Sequence, residues 1–435
     1  MKYAIATLGC KVNQFETQAI ETLLAERGHM PTTAGDADAV IVNTCAVTAE
    51  SGRKSRQTVR RLLRENPGAV AAVCGCFSQI EPEAAAALGE AEVKVVFGSG
   101  DRKKFVEAVE KAVAEHAGET RVDNPFRRSG FEPLPAGALE GRTRAYLKIQ
   151  DGCDRFCSYC VIPYARGRVR SMPLSDVVRE AARLQSEGFR EIVLTGIEIA
   201  SYGKDFRNGD GSGLADAVCA VAGAAPETRL RLGSLEPTVV TEEFCRRLQD
   251  CLGAAVCPQF HLSLQSGCDK TLRAMNRGYD TARFAESAAL LRAAFPGCAL
   301  TADLITGFPG ETEADHLETL AFLRGIGFAS IHVFPYSPRP GTKAAAFSQQ
   351  LPRAVKEARA AQAQQVAAEL RRIFLAKQVG ETLPVLFETE AAPGLWQGHA
   401  DNYCVVRAGG ESLHGIIKNV KIAAIREQIL MGNVV

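Results

Sequence analysis

Ala145-Tyr146-Leu147-Lys148-Ile149-Gln150-Asp151-Gly152-Cys153-Asp154-Arg155-Phe156-Cys157-Ser158-Tyr159-Cys160 joins two signals in one short stretch. Its opening residues form a mostly apolar run of strand length. A loop follows with three thiols, separated by three and then two residues. Three thiols so spaced can wrap three corners of a cubane iron–sulfur cluster and leave its fourth iron open. Zinc is the competing metal, but structural zinc closes its shell with four ligands. No further Cys or His stands near this loop in sequence. A chance grouping is the plainer alternative, against which stands the ready oxidation of unoccupied loop thiols.

Downstream of this loop, strand and helix alternate. Strands are expected at Glu191–Thr195, Arg229–Leu232, His261–Leu264, Ala299–Ile305 and Ser330–Phe334, with helices such as Leu174–Glu187 and Thr281–Ala294 between them. Six strand–helix units predict a partial (β/α)6 barrel whose working face is the carboxyl end of its strands.

Upstream, Tyr3–Leu8, Ala39–Asn43, Ala69–Val73 and Val93–Phe97 read as buried parallel strands. Helices are expected at Asn13–Arg27, Ser51–Glu65 and Arg102–His116. Cys10, Cys45 and Cys76 each fall just past a strand's carboxyl end. In a parallel sheet those ends share one edge, where open α/β folds keep their sites. The three thiols therefore read as a second ligand set; the alternative is three inert core thiols. Cys74, inside the strand end, reads as packing.

Between the two halves, residues 117–142 read as a linker, broken by Gly118, Asn124, Pro125, Gly130, Pro133, Pro135, Gly137 and Gly141. A helix over Pro352–Lys377 leads to short strands at Leu383–Glu388, Asn402–Arg407 and His414–Ile417. These suggest a small antiparallel barrel of the oligonucleotide-binding sort. The fold class expected is α/β multidomain, with an open parallel-sheet domain over 1–116, the linker 117–142, the barrel core over 143–375 and the small barrel over 376–435.

The 435 residues suit two to four such units. A hydrophobic share of 46% and a charged share of 23% exclude disorder and a collagen-like chain. No apolar run approaches the ~20 residues of a membrane span, and the first residues carry no export signal. Fourteen cysteines in such a chain point to metal or redox chemistry inside the cell, so a cytoplasmic protein is expected. Lys plus Arg (51) nearly balance Asp plus Glu (50), so any nucleic acid must be held by local patches. Arg53, Lys54, Arg56, Arg60, Arg61 and Arg64 supply one such patch, or simply a solvated helix face. Arg166, Arg168 and Arg170 are a second candidate. Cys219, Cys245, Cys251, Cys257, Cys268, Cys298 and Cys404 read as structural thiols; the six-residue recurrence of Cys245, Cys251 and Cys257 is neither a helix face nor a ligand spacing.

The thiol loop after the first barrel strand resembles the signature of the radical S-adenosylmethionine superfamily. Further stretches narrow the resemblance to its methylthiotransferases: Thr7-Leu8-Gly9-Cys10-Lys11-Val12-Asn13, Asn43-Thr44-Cys45, Gly75-Cys76-Phe77-Ser78-Gln79, Leu147 to Cys153, Gly307-Phe308-Pro309-Gly310-Glu311 and Phe334-Pro335-Tyr336-Ser337. Gly9-Cys10-Lys11-Val12-Asn13 and His332-Val333-Phe334-Pro335-Tyr336 look most like the branch acting on N6-threonylcarbamoyladenosine in tRNA.

The resemblance implies two four-iron clusters. Cys153, Cys157 and Cys160 would hold the one that binds S-adenosylmethionine and yields a 5′-deoxyadenosyl radical. Cys10, Cys45 and Cys76 would hold a second, which carries the sulfur. The product would be a methylthio group on C2 of the adenine at position 37 of tRNA, in the anticodon loop. An electron donor and a sulfur source are implied partners, with no membrane.

Gly196 falls at the superfamily's methionine-binding turn, although Glu198 stands where His is expected nearby. Gln265 would face the cofactor. Gly307, Pro309 and Gly310 would admit the nucleoside closely, or form a plain tight turn. His261 reads equally as a core histidine. Arg53, Lys54, Arg56, Arg60, Arg61 and Arg168 would grip phosphates. The small barrel resembles the TRAM module, where Trp396 and Tyr403 would stack on a base or simply pack.

The rival targets are isopentenyl-adenosine in tRNA and an aspartate of a ribosomal protein. A single-cluster radical enzyme without sulfur insertion is a further alternative. A non-catalytic RNA-binding protein is the reading of a different class, against which stand six candidate ligands.

Overall fold

The computed structural model describes residues 1–47, 49–88, 93–135, 143–206, 212–253 and 255–435. Gly137 and Gly141 of the expected linker lie outside them.

The apolar runs near the amino terminus form a six-stranded sheet in the order Met30–Pro31, Lys2–Thr7, Ala39–Thr44, Val70–Gly75, Val95–Phe97, Glu119–Arg121. Every ladder is parallel. Both faces are buried, which is why the central strands read as continuous apolar runs rather than alternating ones. Val40, Val42 and Val73 pack under Val59 and Leu62 on one side. Ile41, Ala72 and Val95 pack under Ile20, Leu23 and Phe105 on the other. The edge strand Glu119–Arg121 lies within the stretch read as a linker. Its side chains are exposed and only backbone pairing recruits it, so no hydrophobic period announces it.

The next unit is an arc of six parallel strands. Arg144–Asp151, Glu191–Gly196 and Arg229–Leu232 are followed, through Gly233, by Ser234–Leu235, then Gln259–Gln265, Ala299–Thr306 and Ser330–Pro335. At Gly233 the third strand changes partner, pairing first with Glu191–Gly196 and then with Gln259–Gln265. Among the described residues no ladder joins the last strand to the first, so the barrel stays open. Leu147, Ile149, Leu194, Leu262, Leu300 and Ala302 face out under the helices. The alternate positions face the concave side and are polar: Lys148, Gln150, Glu191, Arg231, His261 and Asp303. Phe15 and Ala19 of the helix Lys11–Glu26 enter the same core, joining the first unit to the second.

The helix Arg353–Ala376 leads to a closed barrel of five strands: Thr382–Ala392, Leu395–Ala400, Val405–Gly409, Ile429–Val434 and Ile417–Arg426 around the ring. The sequence suggested three strands, all antiparallel. Val405–Gly409 and Ile429–Val434 pair in parallel, and His414–Ile416 form a turn before the strand Ile417–Arg426. That strand buries only Val420 and Ile422, too few apolar positions to show its length in the sequence.

Cys219 and Cys251 are disulfide-bonded, tying the helix Leu214–Ala224 to the end of the helix Glu242–Asp250. This corrects their reading as free structural thiols. No helix among the described residues is long and apolar enough to cross a membrane.

Candidate metal centres and their surroundings

Each amino-terminal thiol stands at the exit of a strand. Cys10 precedes the helix Lys11–Glu26, Cys45 follows the strand Ala39–Thr44, and Cys76 opens the helix Cys76–Ile80. The glycines before Cys10 and Cys76 make the approach possible. Gly9 and Gly75 have φ of +107° and +106°. A Cβ on Gly9 would stand 3.0 Å from the Cys45 sulfur, and one on Gly75 2.4 Å from the Thr44 carbonyl oxygen. Side-chain amides lace the three exits together. Asn13 Nδ2 donates to the Leu8 and Thr44 carbonyls at 2.8 and 3.0 Å. Asn43 Nδ2 donates to the Asn13 carbonyl at 3.0 Å, and Thr44 Oγ1 to the Cys74 carbonyl at 2.6 Å.

Cys45 and Cys76 are buried and Cys10 is exposed. Burial pushes the Cys76 thiol up to about 11 against the pull of Arg166, with Cys10 and Cys45 adding to the rise. Buried thiols with raised proton affinity, as at Cys45 and Cys76, are held together most cheaply when a cation replaces their protons.

The radical-type loop is anchored by its backbone. The Cys153 amide donates to the Gly167 carbonyl at 3.0 Å, the Ser158 amide to Met275 at 2.9 Å, and the Cys160 amide to Cys157 at 2.9 Å. Burial pushes Cys153 and Cys160 up to about 12. Arg277 donates to the Cys157 sulfur at 3.2 Å and to the Ser263 carbonyl at 3.3 Å. Among the described residues, only Cys268, Asp315 and Glu318 bring three donor atoms within 4.8 Å of one another. In the Cys268 group, Asp315 already binds Lys270 at 2.6 Å and caps the helix Glu313–Ile326.

Between the triads runs a buried ion network. Glu16, on the helix after Cys10, accepts from Lys148 at 2.8 Å, from Arg102 at 2.9 Å and from Arg166. Lys148 also binds Asp151 at 2.8 Å. Burial alone would raise Glu16, yet Arg166, Lys148 and Arg102 hold its carboxyl well below the usual range. Arg166 also donates to the Cys76 sulfur at 3.2 Å and to Asn13 Oδ1 at 2.8 Å. Sequence reading took Arg166 and Arg170 for surface cations. Both are buried, so of that trio only Arg168 reaches solvent, paired with Asp154 at 3.2 Å. Lone arginines in a loop carry no sign of burial, and nothing in the sequence singled out Glu16.

At the carboxyl ends of the barrel strands, Gly196 lies against the first strand, where a Cβ would stand 2.9 Å from the Gln150 carbonyl oxygen. Gln150 Oε1 accepts from the Glu198 amide at 2.7 Å. Glu198 itself binds Ser201 and Arg155. Gln265 sits at the concave face with φ +68°, in the left-handed region that non-glycine residues seldom enter. His261 is on the same face rather than in the core, bonded to Thr301 at 3.0 Å and Asp303 at 3.2 Å.

At the turn of Gly307 and Gly310 a Cβ would meet Lys356 at 2.5 Å and Gln349 at 2.5 Å, so glycine there lets the chain's own later segment pack closely. Pro309 is buried in the same turn. Glu311 fixes it, accepting from the Gly307 amide at 3.0 Å and from Arg359 at 2.8 Å.

Arg53, Lys54, Arg56, Arg60, Arg61 and Arg64 are all exposed on the helix Ala49–Glu65, which starts just past Cys45. Arg53 pairs with Glu50 and Arg61 with Glu65; among the described residues the other four have no acidic partner. Tyr403 is committed elsewhere: it stacks on His399 at 4.7 Å and lies under Arg144 and Arg231. Trp396 packs on the small barrel's core. Both side chains are half-buried and make packing contacts within the chain.

Residues 147–323 match the Radical SAM superfamily, and residues 2–98 match uncharacterized protein family UPF0004. The threonylcarbamoyladenosine tRNA methylthiotransferase MtaB of Bacillus subtilis is 36% identical over 96% of this chain and 93% of its own. The tRNA-2-methylthio-N(6)-dimethylallyladenosine synthase of Trichlorobacter lovleyi is 35% identical over 97% and 96%. Among solved structures, the radical S-adenosylmethionine methyltransferase TsrM of Kitasatospora setae superposes with a TM-score of 0.56 at 15% identity, over 91% of this chain and 80% of that one, a likeness of fold. The chain belongs to the methylthiotransferase family of the radical S-adenosylmethionine superfamily.

Proposed function

We propose that this protein adds a methylthio group to C2 of N6-threonylcarbamoyladenosine at position 37 of tRNA. The observation that carries the reading is the match to enzymes named for that reaction. Four of them, from four bacteria, are 33–36% identical over 89–100% of the chain.

Cys153, Cys157 and Cys160 are assigned to one four-iron cluster and Cys10, Cys45 and Cys76 to another, each with one iron left open. When bound, the clusters and S-adenosylmethionine supply the electron, the radical and the sulfur. This chain's residues bind and orient. Gly196 and Gln265 flank the S-adenosylmethionine site at the carboxyl ends of the barrel strands. The concave face is open at His261, Asp303, His332 and Phe334, which gives the adenosine a way in. The exposed cations of the helix Ala49–Glu65 and Arg168 hold anticodon-loop phosphates beside the thiol edge. The carboxyl-terminal barrel, from about residue 376, serves as a TRAM-like RNA-binding unit, and the enzyme works in the cytoplasm with an electron donor and a sulfur source.

The experiment is nucleoside mass spectrometry of tRNA incubated anaerobically with reconstituted protein, S-adenosylmethionine, reductant and sulfide. The tRNA pool carries both threonylcarbamoyl- and isopentenyl-adenosine. Growth of 2-methylthio-N6-threonylcarbamoyladenosine alone is the expected result. Growth of the isopentenyl product would keep the chemistry and overturn the substrate. Cleavage of S-adenosylmethionine without a tRNA product would redirect the search to a ribosomal protein.

A further inference from the structure

We propose that Arg166 is a positioning residue that sets the charge felt by the second cluster and fixes that cluster's place beside the radical loop. The inference rests on the two-cluster reading above and concerns a residue to which that reading gives no role.

Three observations carry it. First, Arg166 is completely buried, and its Nε donates to the Cys76 sulfur at 3.2 Å. Hydrogen bonds to cluster sulfurs and the local net charge are the means by which a protein tunes an iron–sulfur potential. Second, Arg166 is adjacent in the chain to Gly167, whose carbonyl receives the Cys153 amide. One dipeptide thus touches a cysteine of each triad. Its guanidinium is steered by Glu16 and Asn13, which lie on the helix that starts after Cys10. Third, the buried network is unbalanced. The buried cations Arg102, Lys148, Arg166 and Arg170 meet the buried carboxylates of Glu16 and Asp151 and the half-buried Glu132, which accepts from the Arg102 backbone amide. One positive charge is left over, and an uncompensated buried charge is costly. Cys76, which accepts from Arg166, is the group whose thiolate restores that balance. Arg277 on Cys157 is the separate guanidinium of the radical loop.

The test uses two full-length backgrounds: Cys153→Ala/Cys157→Ala/Cys160→Ala, which keeps only the amino-terminal thiols, and Cys10→Ala/Cys45→Ala/Cys76→Ala, which keeps only the radical loop. The midpoint potential of each reconstituted cluster is read by electron paramagnetic resonance. In the first background Arg166→Met should lower the potential, Glu16→Gln should raise it, and Arg166→Lys should restore most of the loss. In the second background all three should leave it unchanged. A merely structural role would lower thermal stability in every variant without shifting the potential in opposite directions. Shifts of one sign, no shift, or equal shifts in both backgrounds would overturn the proposal. Should Arg166→Met fail to fold, Arg166→Lys and Glu16→Gln decide it, since an unmoved or lowered potential in Glu16→Gln contradicts the charge argument. Absence of any cluster in the first background with Arg166 and Glu16 intact would instead sink the two-cluster reading.

Discussion

At the scale of single residues, the proposed function divides the labour between the two cysteine triads. With both triads intact, anaerobic reconstitution should give about eight irons per chain. Cys10→Ala/Cys45→Ala/Cys76→Ala should leave about four and retain S-adenosylmethionine cleavage, while methylthiolated nucleoside disappears from the tRNA digest. Complete loss of cleavage in a folded triple variant would argue against separate roles. The glycine before Cys76 is a sharper probe of geometry. Gly75→Ala forces a side chain into the left-handed region and against the Thr44 carbonyl, so a loss of about 1–3 kcal/mol or more in thermal unfolding is expected, with iron content falling alongside. All six thiols stood out in the sequence because their positions repeat: three past successive strands, three in one loop. Glu16 did not, and Arg166 read as a surface cation, because burial of a charge depends on partners up to 150 residues away.

At the scale of elements, strands whose faces are both buried were readable as apolar runs, and those of the sheet and the arc fall close to where the sequence puts them. Strands recruited by backbone pairing alone, such as Glu119–Arg121, were not, nor was most of Ile417–Arg426, with its mostly exposed side chains. The helix Ala49–Glu65 is legible in both respects, a buried stripe at Val59 and Leu62 and a basic outer face. Its prediction concerns salt. Replacing Lys54, Arg56 and Arg60 with Ala should reduce the slope of log affinity for tRNA against log salt by about 2 if each meets one phosphate. Iron content should stay the same. An unchanged slope would return this face to ordinary solvation.

At the scale of the whole molecule, the small barrel is clamped to the amino ends of the arc's strands. Glu191 binds Arg229 and Arg231 at 2.6 and 2.9 Å. Those guanidiniums in turn donate to the backbone carbonyls of Pro384 and His399, and of Asp401 and Ala400. Burial would raise the Glu191 carboxyl, but Arg231 and Arg229 hold it at about 2, below the ordinary 4.5. A depressed carboxyl stabilises the fold above its unfolded value, and that contribution is lost as pH falls from about 4.5 towards 2. Glu191→Gln should therefore flatten the acid limb of melting temperature against pH. At neutral pH it should cost about 3–5 kcal/mol by stranding two buried guanidiniums. An acid limb as steep as that of the parent protein would assign the clamp to other groups.

Arg229 and Arg231 hold the barrel by its main chain, whose carbonyls are the same whatever residues carry them, while Arg144 adds side-chain ties to Glu388 at 2.8 Å and Tyr403 at 3.1 Å. Apart from those two residues, the placement of this unit is insulated from its own mutations. A descendant protein can exchange the barrel's outward side chains without moving the unit that presents them.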